Sequence, residues 1–136
     1  MANEYLFVYG TLLKSIDSPQ HRKLIQNAEF SSFATLQGLM FNLGDYPGVI
    51  ESDTEGDQVI GELYRIKNRE VLFSFLDDYE ECSEHHVKPH EYVRKLCRVL
   101  TSKSIVLTAW VYIYNRDVTQ LELIPSGDYY AFANKK

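Results

Sequence analysis

Tyr5-Leu6-Phe7-Val8-Tyr9-Gly10-Thr11-Leu12 opens the chain with an apolar run that stops at a glycine. Its composition is that of a strand, and its unbroken apolar character predicts that both faces are covered. A strand covered on both sides needs a sheet and further layers around it. Working outward, Ser18-Pro19 reads as a helix start for Gln20 to Gln26, because Ser caps exposed N–H groups and Pro suits the first helical position. Phe33 to Asn42 reads as a second strand, with Gly38 marking a bulge or a close backbone approach. Gly44-Asp45-Tyr46-Pro47-Gly48 reads as a turn, Glu51 to Asp57 as a solvated acidic loop, and Gln58 to Lys67 as a returning strand. Asn68 can cap a helix running to Tyr79, with Leu72, Phe75, Leu76 and Tyr79 on one side. Tyr92 to Leu100 and Ile105 to Tyr114, joined by Thr101-Ser102-Lys103-Ser104, predict an antiparallel hairpin. Strands dominate and connections are mostly hairpin-like, which predicts an α+β fold with a curled antiparallel or mixed sheet.

The 136 residues suit one domain over positions 1–136, long enough to bury a core without disulfides or metal. Fourteen Lys and Arg against 19 Asp and Glu give a formal net charge of -5, with no dense basic cluster. Nucleic acid and acidic membrane surfaces are therefore not the expected partners. The start Met1-Ala2-Asn3-Glu4 has no basic n-region, and the longest apolar-aromatic run, Ile105 to Tyr114, is too short to span a bilayer. Cys82 and Cys97 read as free thiols in a reducing compartment, so the expected location is cytoplasmic. Nothing in the sequence reads out an oligomeric state.

Leu76-Asp77-Asp78-Tyr79-Glu80 closes the second helical pattern on an acidic run that continues through Glu81 and Glu84. Such a run reads either as a solvated helix end or as a placed carboxylate. In the second case, neighbouring negative charge raises the pKa of Glu80, which fits it to accept a proton near neutral pH. After the first strand, Gly10 lets the backbone approach a ligand closely, and successive N–H groups of Gly10, Thr11 and Leu12 can form an anion nest; an ordinary turn is the alternative. Thr11 as a nucleophile lacks an evident activating base. His85, His86, His90 and Glu91 invite a metal reading, but Pro89 keeps His86 and His90 off a common helix face, and surface histidines are the expectation. Trp110, Tyr112 and Tyr114 share one strand face and read as core or as pocket wall.

Tyr9-Gly10-Thr11-Leu12, Asp45-Tyr46-Pro47, Gly61-Glu62-Leu63-Tyr64, Leu76 to Glu80 and Tyr92-Val93-Arg94 occur in this order. Together they resemble the gamma-glutamylcyclotransferase-like family, which releases 5-oxoproline from gamma-glutamyl compounds, over roughly Tyr5 to Tyr129. The resemblance implies a small barrel-like sheet with short helices packed outside. It also implies an enzyme that cyclises the gamma-glutamyl group of a small amine or peptide conjugate, with Glu80 as general acid/base. Tyr9, Gly10, Thr11 and Leu12 would bind substrate, the loop of Asp45, Tyr46 and Pro47 would lie near the pocket, and no metal or organic cofactor is implied. Arg94 matches a family position at the start of a strand, and an Arg there reads either as a partner of the acidic helix end or as support for the pocket floor. Gly127-Asp128-Tyr129 is similar to the family's C-terminal Gly-Asp-aromatic segment. Glu81 stands where the family usually has Gly, which bears on loop shape. The runner-up reading is a small-molecule binding or regulatory module that keeps the pocket without turnover.

Overall fold

In the computed structural model, which describes residues 3–10, 12, 13, 16, 18–80 and 90–133, the opening apolar run is β1 (Tyr5–Val8). Leu6, Phe7 and Val8 are at most 3% exposed. Phe7 joins one core cluster, while Leu6 and Val8 join a second. This explains the unbroken hydrophobicity: adjacent strand residues point to opposite faces, and each face has a layer against it.

The remaining elements are α1 (Pro19–Asn27), β2 (Ala28–Leu36), β3 (Gly38–Asn42), β4 (Pro47–Glu51), β5 (Val59–Ile66), α2 (Arg69–Tyr79), β6 (Tyr92–Thr101), β7 (Val106–Tyr114), β8 (Glu122–Ile124) and α3 (Tyr129–Ala133). A closed barrel runs in the order β1-β5-β2-β6-β7, and β4-β3-β8 form a smaller sheet. Pairing is antiparallel except at the closing seam, where β1 meets β7 in parallel with Leu6 opposite Trp110. The fold is thus α+β with a small mixed barrel and short flanking helices, as expected. One core fills the barrel with residues such as Phe7, Leu63, Val99 and Val111. The other joins barrel to helices through Leu6, Leu24, Tyr64, Leu72 and Leu76.

Local chemistry accounts for the helix starts. Ser18 accepts from the His21 backbone N–H at 3.0 Å, and Pro19 occupies the first turn, as the sequence indicates. Asn68 stands at the start of α2 without a side-chain cap bond, so α2 owes its place to burial of Leu72, Phe73 and Leu76. Leu72 and Leu76 are fully buried, each contributing about 1.5–3 kcal/mol.

Two boundaries differ from expectation. The strand read as Phe33 to Asn42 divides at Gln37: β2 stays in the barrel while β3 crosses to the smaller sheet. Gly38 marks the crossing, where a Cβ would lie 2.6 Å from the Ile50 carbonyl oxygen; the bulge itself falls earlier, between Phe30 and Ser32. The short β8 and α3 carry too little periodic pattern to be read locally. They are held by tertiary contacts, with Ile124 opposite Met40 and Gly127 at φ 63° between them. No helix among the described residues is long and apolar enough to cross a membrane.

Candidate active site

Glu80 caps the C-terminus of α2, and its backbone N–H donates to the Leu76 carbonyl at 2.8 Å. One turn earlier, Asp77 fastens the helix to the β6–β7 hairpin. Arg94 donates to it through Nε at 3.0 Å and through a terminal nitrogen at 3.1 Å, and the Tyr112 hydroxyl donates at 2.7 Å. The Arg94 guanidinium lies 3.9 Å from the Phe73 ring centroid and 4.9 Å from that of Trp110, two rings that themselves meet edge-on, so an aromatic corner braces the pair. Of the two roles open to Arg94, the structure displays the pairing with the acidic helix end.

This fastening delivers Glu80 into a cavity of about 270 Å³ beside the end of β1. Tyr9, Gly10, Leu12, Tyr46, Pro47 and Glu80 all line it, so residues far apart in sequence converge on one space. Asp45 lies outside the lining, exposed, its carbonyl accepting from the Tyr129 hydroxyl at 3.2 Å. Thr11 lies outside the described residues. Gly10 has a packing reason beside any ligand: a Cβ there would fall 2.8 Å from Pro47 Cγ and 2.9 Å from Cδ. The two loops therefore meet only because position 10 has no side chain. Leu12 is anchored through its carbonyl to His21 Nδ1 at 2.8 Å, which requires the proton on Nδ1.

The walls are tied by tyrosine hydroxyls. Tyr9 donates to the Tyr112 carbonyl at 2.6 Å, Tyr92 to the Pro47 carbonyl at 2.7 Å, and Tyr46 to Glu91 Oε2 at 2.7 Å. Glu91 is a lining residue whose place in the cavity the sequence did not reveal. It immediately precedes the Tyr92-Val93-Arg94 motif, and nothing local separates it from the neighbouring histidines as a pocket residue.

Burial, and secondly the charge of Glu91, push the Glu80 carboxyl up from 4.5 to about 8. The direction agrees with the sequence reading, while the like charge that acts among the described residues, Glu91, comes from outside the acidic run. Asp77, adjacent along the chain, is paired with Arg94 instead, while Glu81 and Glu84 lie outside the described residues. Tyr9 is raised well above its ordinary value, first by burial and then by the charge of Glu80, so its hydroxyl is a neutral donor. Among the described residues no group of three or more His, Cys, Asp or Glu is placed to hold a metal. His85, His86 and Cys82 lie outside the described residues, and Cys97 is a buried free thiol.

Residues 6–131 match the family described as "Gamma-glutamyl cyclotransferase, AIG2-like". The chain belongs to that family. The gamma-glutamylcyclotransferase family protein YtfP of Escherichia coli K12 is 30% identical over 131 residues, covering 91% of this chain and 94% of that protein. The solution structure of E. coli ytfP superposes with a TM-score of 0.64 at 30% identity, over 96% of this chain and 99% of that one. YkqA of Bacillus subtilis gives a TM-score of 0.73 at 26% identity; it covers 99% of this chain, which spans only 44% of YkqA. The mouse AIG2-like protein, at 23% identity with a TM-score of 0.69 over 95% of this chain and 89% of that one, shares the fold.

Proposed function

We propose that this family member is a cytoplasmic γ-glutamylcyclotransferase that converts the γ-glutamyl group of a small amine or peptide conjugate to 5-oxoproline. The substrate's α-amine attacks its own γ-carbonyl; a new C–N bond closes the five-membered ring, and the C–N bond to the leaving amine breaks. The nucleophile is intramolecular, so the protein supplies proton transfer and orientation rather than an activated side chain. Glu80 takes a proton from the α-ammonium and then gives one to the departing amine. Backbone N–H groups of Gly10, Thr11 and Leu12 hold the α-carboxylate or the developing oxyanion.

The observation that carries this reading is the Glu80 carboxyl, held in the same cavity as Glu91 and raised to about 8. An α-ammonium group titrates near 8, so proton transfer to such a carboxylate is nearly thermoneutral, whereas transfer to an ordinary carboxylate is opposed by more than three pH units. The test is incubation with a panel of γ-glutamyl amines, γ-glutamyl dipeptides and glutathione, followed by detection of 5-oxoproline. Glu80→Gln lowers turnover by about 10²- to 10⁴-fold while the fold and ligand binding persist. Turnover by that variant within a few-fold of wild type would falsify the assignment.

A further inference from the structure

Helices α1 and α2 cover only part of the barrel's outer surface. Leu36, Val59, Val99 and Ala109 point into the barrel core, so by strand alternation Thr35, Ile60, Leu100 and Thr108 point outward. Register sets Ile60, Thr35, Leu100 and Val106 side by side across β5, β2, β6 and β7, one row over four strands. Phe33 and Leu96 flank this row on opposite sides, and Phe30 meets Phe33 edge-on with ring centroids 5.3 Å apart. Phe33, Leu96, Leu100 and Val106 are 47–61% exposed, at positions where an antiparallel strand facing water carries polar side chains. Together with Phe30 and Ile60 they leave on the order of 500 Å² of apolar surface in one place, within the range of the largest patch on a typical monomer. Thr35, Thr108 and the stem of Arg98 bring the face toward the roughly 800 Å² per partner that a stable interface buries.

The charge around this face is divided. The 51–57 loop meets the sheet just past the end of β2, where the Ser52 N–H donates to the Gln37 carbonyl at 3.3 Å, and it carries Asp53, Glu55 and Asp57 with no Lys or Arg. The β6–β7 turn meets β2 on the other side of Thr35, where the Ser102 N–H donates to the Phe33 carbonyl at 2.9 Å, and it carries the exposed Lys103. Among the described residues no carboxylate pairs with Lys103. Acid beside β5 and base between β6 and β7 therefore stand at opposite corners of an apolar face. A two-fold axis lying in an interface can bring opposite corners of two identical copies together. We propose that this face, centred on Thr35 and Leu100, joins two copies of the chain in a two-fold dimer, with the 51–57 loop of each copy against Lys103 of the other. A second copy fits better than a uniformly acidic or basic partner, which would satisfy one corner and meet like charge at the other. Arg98 is long enough to lay its stem along the apolar row and carry its guanidinium to the rim. None of these residues lines the cavity that holds Glu80, so association and turnover can be measured apart.

The experiment is sedimentation equilibrium of the whole chain from about 1 to 100 μM, at low and moderate salt. Wild type dimerises with a Kd in the micromolar range or tighter, more tightly at low salt. Leu100→Glu and Val106→Glu each weaken association by about tenfold or more, with folding checked by circular dichroism. Both side chains are exposed in the single chain, and if one variant fails to fold the other carries the test. Asp57→Lys and Lys103→Glu each weaken association by about 3- to 10-fold, and the chain carrying both returns to within a few-fold of wild type, because each copy again offers opposite charges at the two corners. A wild type that stays monomeric at about 100 μM overturns the inference and leaves the cyclotransferase reading standing. A dimer undiminished by Leu100→Glu and Val106→Glu also overturns it, since another face then holds the copies together. Failure of the paired charge exchange to restore association overturns the arrangement of loop against turn.

Discussion

Glu80→Gln should make the protein more stable, by an amount that grows with pH. Below about pH 4.5 the Glu80 carboxyl is protonated in both folded and unfolded chains, and Gln closely imitates the neutral acid. Between 4.5 and about 8 the unfolded chain has ionised this group while the folded protein still holds the proton, so each rise in pH favours unfolding. The stability associated with the raised pKa is therefore fully present below the unfolded value and is lost as pH climbs through the folded one. At about 1.4 kcal/mol per pH unit, the interval from 4.5 to about 8 amounts to on the order of 5 kcal/mol. Glu80 retains partial solvent access, which reduces this to about 2–4 kcal/mol at pH 9. For a domain of this length each kcal/mol moves Tm by about 3–5 °C, giving a gain of about 6–20 °C for the variant. Urea denaturation of both proteins at pH 5, 7 and 9 measures the gap directly. A gap that stays constant across this range, or a variant less stable than wild type at pH 9, refutes the assignment of a raised carboxyl to position 80.

Glu91→Gln removes the second cause of the raised Glu80 carboxyl and leaves burial in place, so the acid limb of the pH–rate profile should move down from about 8 without reaching 4.5; an unmoved limb would mean that Glu91 does not act on Glu80. Asp77→Asn should leave that limb in place, since Asp77 is paired with Arg94, but should cost about 1.5–3 kcal/mol in urea denaturation through its weakened bonds to Arg94 and Tyr112. Gly10→Ala should raise KM, and Gly10→Val more so, because a side chain there strikes Pro47; wild-type KM in both would contradict the close approach of the two loops. Gly61→Ala would put a Cβ 2.2 Å from the Val8 carbonyl oxygen and should destabilise by about 3 kcal/mol or more, read as a fall in the urea midpoint.

Much of the site was legible because its signals are local. The apolar run ending at Gly10, the helix ending at Glu80 and the turn around Pro47 each depend on residues close together in sequence, and each lines the cavity where expected. Glu91 was not legible as a site residue because its significance is its proximity to Glu80. That proximity arises when β6 pairs with β2 and β7 and the barrel brings the strand's entry to the end of α2. Asp77 shows the converse: adjacency in sequence suggested that it charges Glu80, while the fold commits it to Arg94. The switch at Gln37 was hidden because apolar residues continue on both sides of it, and periodicity alone cannot say that two consecutive strands belong to different sheets.

The parallel seam between β1 and β7 bears on the future of this pocket as well as on its present shape. Tyr9, one residue past the end of β1, and Tyr112 of β7 both line the cavity, joined by the Tyr9 hydroxyl. Neither Glu80 nor Glu91 belongs to either strand. Tyr112 nonetheless serves both ends: its carbonyl holds Tyr9 at the wall while its hydroxyl holds Asp77, three residues before Glu80, so the width of the chamber and the placement of that carboxylate are coupled. A lineage, or an engineer, that lets the seam out to admit a bulkier ligand must therefore re-seat the end of α2 as well.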